Sequence, residues 1–242
     1  MAFNFNTMIG GGGTANLKNY IAGGTTITVK SDGTGDFTSL KDAVNSLTGK
    51  FSDGKVTISI GAGTFDITET VVIDGGNFNF AELEISGAGK ENTIIQNTSA
   101  TQYVSIISIT NSGALIICKD FCLKAKDSSS GIGVSISKSD YVYLENLKTE
   151  NCLWGIYPDF VSKVWIQTLT GSNLADAMNV NRGSEAFCRG TFTLSDVTTA
   201  FQVSNASLIK AAGVTKTFTN VTNSTNQTTN QITNNGIIIG NV

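Results

Sequence analysis

The chain contains no histidine, so acid–base chemistry would fall to carboxylates, lysine or tyrosine. Asp140, Glu145, Asp159, Asp176, Glu185 and Asp196 lie in its middle region. Asp159 and Asp176 form the best candidate catalytic pair, because a glycosidase needs two carboxyl groups facing one groove. Solvated turn acids are the competing reading of the same residues. A zinc centre is not expected: without histidine, Cys118, Cys122, Cys152 and Cys188 offer no C-x-x-C spacing. They read as buried, reduced thiols. The Gly10 to Gly13 run lacks the Gly-Lys-Ser/Thr of a phosphate loop and reads as a linker. No metal or cofactor is expected.

Aromatic side chains offer a second kind of chemistry. Tyr143, Trp165 and Phe187 are spaced 22 residues apart, each flanked on both sides by apolar residues of opposite parity. Stacked on successive rungs, they would lie about 5 Å apart on an outward face. Such an apolar patch suits either a sugar-binding platform or a protein interface. Trp154 and Tyr157 are further contacts at the neighbouring turn.

These positions derive from an internal repeat. Gly133, Gly155, Ala177 and Ala200 recur at about 22 residues. One residue later stand Val134, Ile156, Met178 and Phe201. Nine later stand Val142, Val164, Ala186 and Ile209, and eleven later stand Leu144, Ile166, Cys188 and Ala211. Apolar positions alternate within each unit and recur between units, as stacked strands with one buried face require. Helical solenoids show period 3.6 in longer repeats, which this pattern does not. The expected fold is all-β: a right-handed single-stranded parallel β-helix. Asn151, Asn173 and Asp196, four before the anchors, fit a ladder of turn residues.

The ends differ from the middle. Residues 38–47 read as a short capping helix with Phe37, Leu40, Ala43, Val44 and Leu47 on one face and Asp36 or Thr38 as N-cap. Residues 1–24 read as a Gly- and Asn-rich arm, 25–219 as the coil, and 220–242 as an Asn/Thr/Gln-rich tail or oligomerisation strand. Charged residues make up 14% and the net charge is −3. No clustered basic footprint points to nucleic acid, no run is long enough for a membrane span, and no signal peptide is evident.

The stretch Val29-Lys-Ser-Asp-Gly-Thr-Gly-Asp-Phe-Thr-Ser-Leu-Lys-Asp-Ala-Val44 resembles the opening of the pectin-lyase-like superfamily, which includes pectin methylesterases and many phage tailspikes. Ile60-Gly-Ala-Gly-Thr-Phe65 and Ile85-Ser-Gly-Ala-Gly-Lys-Glu-Asn-Thr-Ile-Ile95 match its next two stretches. The catalytic motifs of the family's enzymes are missing: Trp165-Ile-Gln-Thr-Leu169 lacks the esterase Asp, and neither Arg182 nor Arg189 sits in a lyase-like segment. The resemblance implies a structural virion component, a tailspike, tail fibre or decoration protein. It would be made in the host cytoplasm, homotrimeric, and joined by its arm to other virion proteins. Its solenoid face would meet a bacterial surface polysaccharide or a neighbouring protein. A polysaccharide-degrading hydrolase or lyase of the same fold, and a bacterial surface adhesin, are the alternatives.

Overall fold

A computed structural model describes residues 19–99, 103–211, 213–225, 232–233 and 236–239. The Gly10 to Gly13 linker and, within the polar tail, residues 226–231, 234–235 and 240–242 lie outside these residues. The chain forms a parallel β-solenoid of about six turns with one short helix. Apart from the antiparallel contact of Ile232–Thr233 with Gly236–Ile239, every strand pairing among the described residues is parallel.

The register makes three faces. The first stacks Thr26–Val29, Lys55–Ile60, Glu82–Ser86 and Leu115–Lys119, then the opening segments of Val142–Glu150, Lys163–Val180 and Glu185–Val203, then Leu208–Lys210 and Gly236–Ile239. Its inward column runs Val56, Leu83, Ile116, Val142, Val164, Ala186, Ile209 and Ile238, each fully buried. The second face carries Gly63–Ile67, Thr93–Asn97 and Cys122–Lys124. The third carries Val71–Asp74, Val104–Thr110, Gly131–Ser137 and Trp154–Asp159. The long strands Lys163–Val180 and Glu185–Val203 pass through all three faces.

Three corners turn the chain, each through a left-handed residue (φ between 47° and 74°) at the same place on successive rungs. They are Asp120, Asn146, Thr168 and Gly190; Asn151, Asn173, Asp196 and Asn220; and Asn111, Lys138, Phe160, Arg182 and Asn205. Asn and Asp tolerate this geometry because their side chains bond locally. At the second corner the side chains also bond between rungs: Asn173 Nδ2 donates to Asn151 Oδ1 at 2.9 Å, and Asn220 Nδ2 to Asp196 Oδ1 at 2.9 Å. The anchor column is small because rungs touch there. A Cβ on Gly133 would lie 2.3 Å from the Gly155 carbonyl oxygen.

One repeat unit is a residue longer than its neighbour. Gln167 pairs with Arg189, but Leu169 pairs with Phe192, so the extra residue is absorbed at the Thr168/Gly190 corner. The pairing continues beyond residue 219, through Thr225 of the strand Thr215–Thr225.

The helix is Leu40–Asn45, and Leu40, Ala43, Val44 and the following Leu47 are buried. Its N-cap is Ser39, whose hydroxyl accepts from Asp42 N, rather than the expected Asp36 or Thr38. Asp36 is engaged elsewhere: its carboxylate accepts from the backbone N and the hydroxyl of Thr28 at 2.7 and 2.8 Å. The Asp-Gly-Thr-Gly-Asp motif therefore ties the loop to the first coil strand, and the cap falls to the next hydroxyl inside the loop.

A buried serine ladder has no counterpart in the sequence reading. Ser112, Ser139, Ser162, Ser184 and Ser207 are all at most 2% exposed. The backbone N of Ser112 donates to Ser139 Oγ, that of Ser139 to Ser162 Oγ, and that of Ser162 to Ser184 Oγ, at 3.1 to 3.3 Å. The hydroxyls of Ser139, Ser162 and Ser184 each satisfy an amide that the corner would otherwise bury unpaired. Ser162→Ala leaves the Ser139 amide without its acceptor and is expected to lower unfolding free energy by about 1–3 kcal/mol, read by urea denaturation. The four cysteines are free and buried, and burial pushes the thiols of Cys118, Cys122 and Cys152 up to about 12. The native protein should leave all four unreacted with a thiol reagent at pH 8, with full reaction in denaturant.

Candidate functional site: a stacked aromatic ladder and a polar cluster

The outward residues of the first face form a continuous column. Pairing aligns Tyr143 with Trp165, Trp165 with Phe187, and Phe187 with Lys210. Parallel stacking repeats each side chain one rung on, so three aromatics spaced 22 residues apart become one stack. Tyr143 and Trp165 have ring centroids 5.0 Å apart and 8° between planes; Trp165 and Phe187 are 5.1 Å apart at 10°. Near-parallel rings this close cannot lie side by side in one plane, so they overlap face to face. Both faces of Trp165 are thus occupied. Lys210 Nζ covers Phe187 from 4.8 Å, a cation–π contact that ends the stack. Tyr141, at the corner, lies parallel to Trp165 at 6.2 Å.

What the ladder offers to solvent is ring edges. Tyr143 is 40% exposed and Tyr141 56%; beyond the corner, Phe160 and Val161 are 43% and 72% exposed. On one flank lie Tyr141, Lys163 and Glu185, and on the other Glu145, Gln167 and Arg189. The shallow depression along the stack is lined by Tyr143, Glu145, Trp165, Gln167, Phe187 and Arg189, among others. Toward the N-terminal rungs the same column turns ionic. Glu84 is paired with Lys55 at 2.9 Å and Lys119 at 3.2 Å. Burial opposes its ionisation, but the two lysines outweigh burial and hold its pKa below the usual value.

The third face carries a cluster of aromatic and polar side chains. Trp154 stacks on Tyr157 with centroids 4.4 Å apart, and Tyr103, 61% exposed, leans on Trp154 at 5.9 Å. Asp176 stands one rung above Trp154 and is 7% exposed. It accepts from Asn179 Nδ2 at 2.9 Å, and the Gln202 amide, assigned with its nitrogen toward the carboxylate, donates at 3.1 and 3.2 Å. Thr199 and the Trp154 indole, on the adjacent rungs, favour its charged form. Burial raises its pKa, and these donors only partly offset that cost.

The register does not bring Asp159 and Asp176 together. Asp176 pairs with Trp154, and Asp159 lies five residues further along the Trp154–Asp159 strand, about 16 Å away at roughly 3.3 Å per residue. Retaining and inverting glycosidases hold their carboxyl groups about 5 to 9.5 Å apart. Asp159 is instead occupied at the corner, with Arg182 Nε 3.4 Å from its Oδ1, while Arg182 also packs over the Phe160 ring at 4.1 Å. Among the described residues no cluster of three or more metal-ligating side chains occurs, and no helix is long and apolar enough to cross a membrane.

No protein-family model matches the chain, and no curated protein matches it. Among solved structures it is similar to the protein described as Geobacillus virus E2 ORF18, with a TM-score of 0.43 and 11% sequence identity. The alignment covers 83% of this chain and 60% of that one. This chain therefore spans about three-fifths of the length of the protein it matches. The pectin-lyase-like resemblance rests on residues 29–95.

Sequence reasoning missed Asn179, Gln202 and Thr199 as partners of Asp176. Their spacing to the anchor column holds the signal: Asn179 and Gln202 both lie two residues past an anchor, where Tyr157 also stands. A raised carboxyl pKa means that the folded state holds the proton more tightly than the unfolded state. Unfolding free energy should therefore fall as pH rises from the ordinary carboxylate range through the raised value. Asp176→Asn should flatten that slope in urea denaturation between pH 3.5 and 8. Asp176→Ala should instead destabilise by about 1–3 kcal/mol by leaving buried donors unpaired.

Proposed function

We propose that this chain is a non-enzymatic structural component of a phage particle, of the tailspike, tail-fibre or decoration type. Its solenoid is a rigid body that makes protein contacts through the aromatic ladder. The observation that carries this reading is the occupancy of both faces of Trp165. A pyranose ring needs an open aromatic face to stack on, and the ladder offers edges rimmed by charged and amide groups. That mixture, with an aromatic centre and a polar rim, is the composition of a protein interface. The Asp-Gly-Thr-Gly-Asp-Phe-Thr opening shared with tailspikes supports the phage assignment, and the wide separation of Asp159 and Asp176 favours scaffold over hydrolase. The protein is proposed to be a homotrimer, carried on the particle through residues 1–24.

A second reading has its own observation. On the third face, Tyr103 is largely exposed beside Trp154, with the buried Asp176 carboxylate one rung above the indole. This arrangement favours contact with a host polysaccharide there, away from the ladder.

Purified protein should show a mass of three chains by light scattering after size exclusion. Trp165→Ser, which removes two stacked pairs worth about 0.5–1.5 kcal/mol each, should shift the mass toward one chain while the β-rich circular dichroism spectrum persists. Incubation with bacterial surface polysaccharides should release no reducing ends or unsaturated products. A single-chain mass for the wild type, or turnover of any such polymer, would overturn the reading.

A further inference from the structure

From the charges beside the ladder we infer that the partner on this face is a second copy of the chain, parallel and in register, with Glu185 of one copy paired to Arg189 of the next. The inference rests on the reading of the ladder as a protein contact and adds the partner's identity and orientation.

Each rung of the face has two flanks. Residues two positions before the ladder residue form one flank, and residues two positions after form the other. Rung by rung the pairs are Tyr141 with Glu145, Lys163 with Gln167, and Glu185 with Arg189. Within one chain, Glu185 and Arg189 stand on either side of Phe187, about 13 Å apart along the strand, too far to meet. The ion pairs among the described residues involve Lys41, Lys55, Lys119, Lys148 and Arg182; Glu185 and Arg189 take part in none. Lys163 lies in register beneath Glu185, and Gln167 beneath Arg189, so the only arginine on the face has no acid directly below it.

When solenoids pack side by side around a common axis, one flank of each copy meets the opposite flank of its neighbour. A closed ring requires identical contacts and no shift along the axis, so residues of the same rung face each other. Glu185 then meets Arg189, the Lys163 ammonium meets the Gln167 amide, and the Tyr141 hydroxyl meets the Glu145 carboxylate. Each of these three rungs pairs a donor with an acceptor. A shift of one rung in one direction would set Lys163 against Arg189, a like-charge contact. The aromatic edges, between the flanks, would line the axis. Ring closure thus fixes the unshifted register, the flanks match it, and Glu185 and Arg189, which form no ion pair within one copy, meet between copies.

The test is the mass in solution of the full chain and of three variants: Glu185→Arg, Arg189→Glu and the double exchange. Each single reversal sets like charges together and should raise the concentration of half-dissociation at least tenfold. The double exchange should restore the wild-type mass, because the pair is re-formed with its sign reversed. Glu185→Gln and Arg189→Gln, which add no repulsion, should show smaller losses and guard against misfolding. A wild-type oligomer that loses its mass with Trp165→Ser, yet keeps it in both single reversals, would overturn this pairing while leaving the ladder as an interface. Failure of the double exchange to restore the mass would also overturn it. A wild type of one chain would overturn both.

Discussion

Everything in this molecule follows from stacking strands in parallel at a single rung spacing. A residue then meets its counterpart one repeat away, so each column must consist of side chains that tolerate their own kind. Apolar columns satisfy this by packing, and serine and asparagine columns by bonding in series. Aromatic columns do so by overlap. Acidic columns would repel, and the structure avoids them: Glu84 stands between Lys55 and Lys119, and Asp176 has Trp154 below and Thr199 above. The charge content of 14% follows from the same rule.

The rule also decides what was legible in the sequence. The inward columns were readable because burial on one face enforces both alternation and recurrence, and Val142, Val164, Ala186 and Ile209 obey both. The aromatic column was readable because three large rings at equal spacing have a single geometric consequence in a solenoid. The turn ladder of Asn151, Asn173 and Asp196 was readable because left-handed corners favour short amide and acid side chains. The helix was legible by its apolar face, but its cap was not: which of several Asp, Ser and Thr residues is free to cap depends on Thr28, eight residues from Asp36, which claims that carboxylate.

Other features were hidden for definite reasons. Serine is common and patternless in composition, so the buried ladder at Ser139, Ser162 and Ser184 emerges only once the corner places each hydroxyl over the preceding amide. Asp159 and Asp176 look close in repeat coordinates because five positions on one rung amount to little in sequence and to most of a strand in space. The aromatic ladder was placed correctly on the outside, but whether its rings presented faces or edges required their planes. That orientation separates a carbohydrate platform from a contact between proteins.

The one-residue bulge at Thr168 and Gly190 has a wider consequence. It sits between the ladder and the second face, so the additional length is spent at a corner and Tyr143, Trp165 and Phe187 stay aligned. Corners act as expansion joints. A longer loop such as 126–131, or an inserted segment at Gly190, can be accommodated without shifting any face. Surface loops of this chain are therefore free to diversify, while the aromatic column and the core beneath it are held to one unvarying alignment.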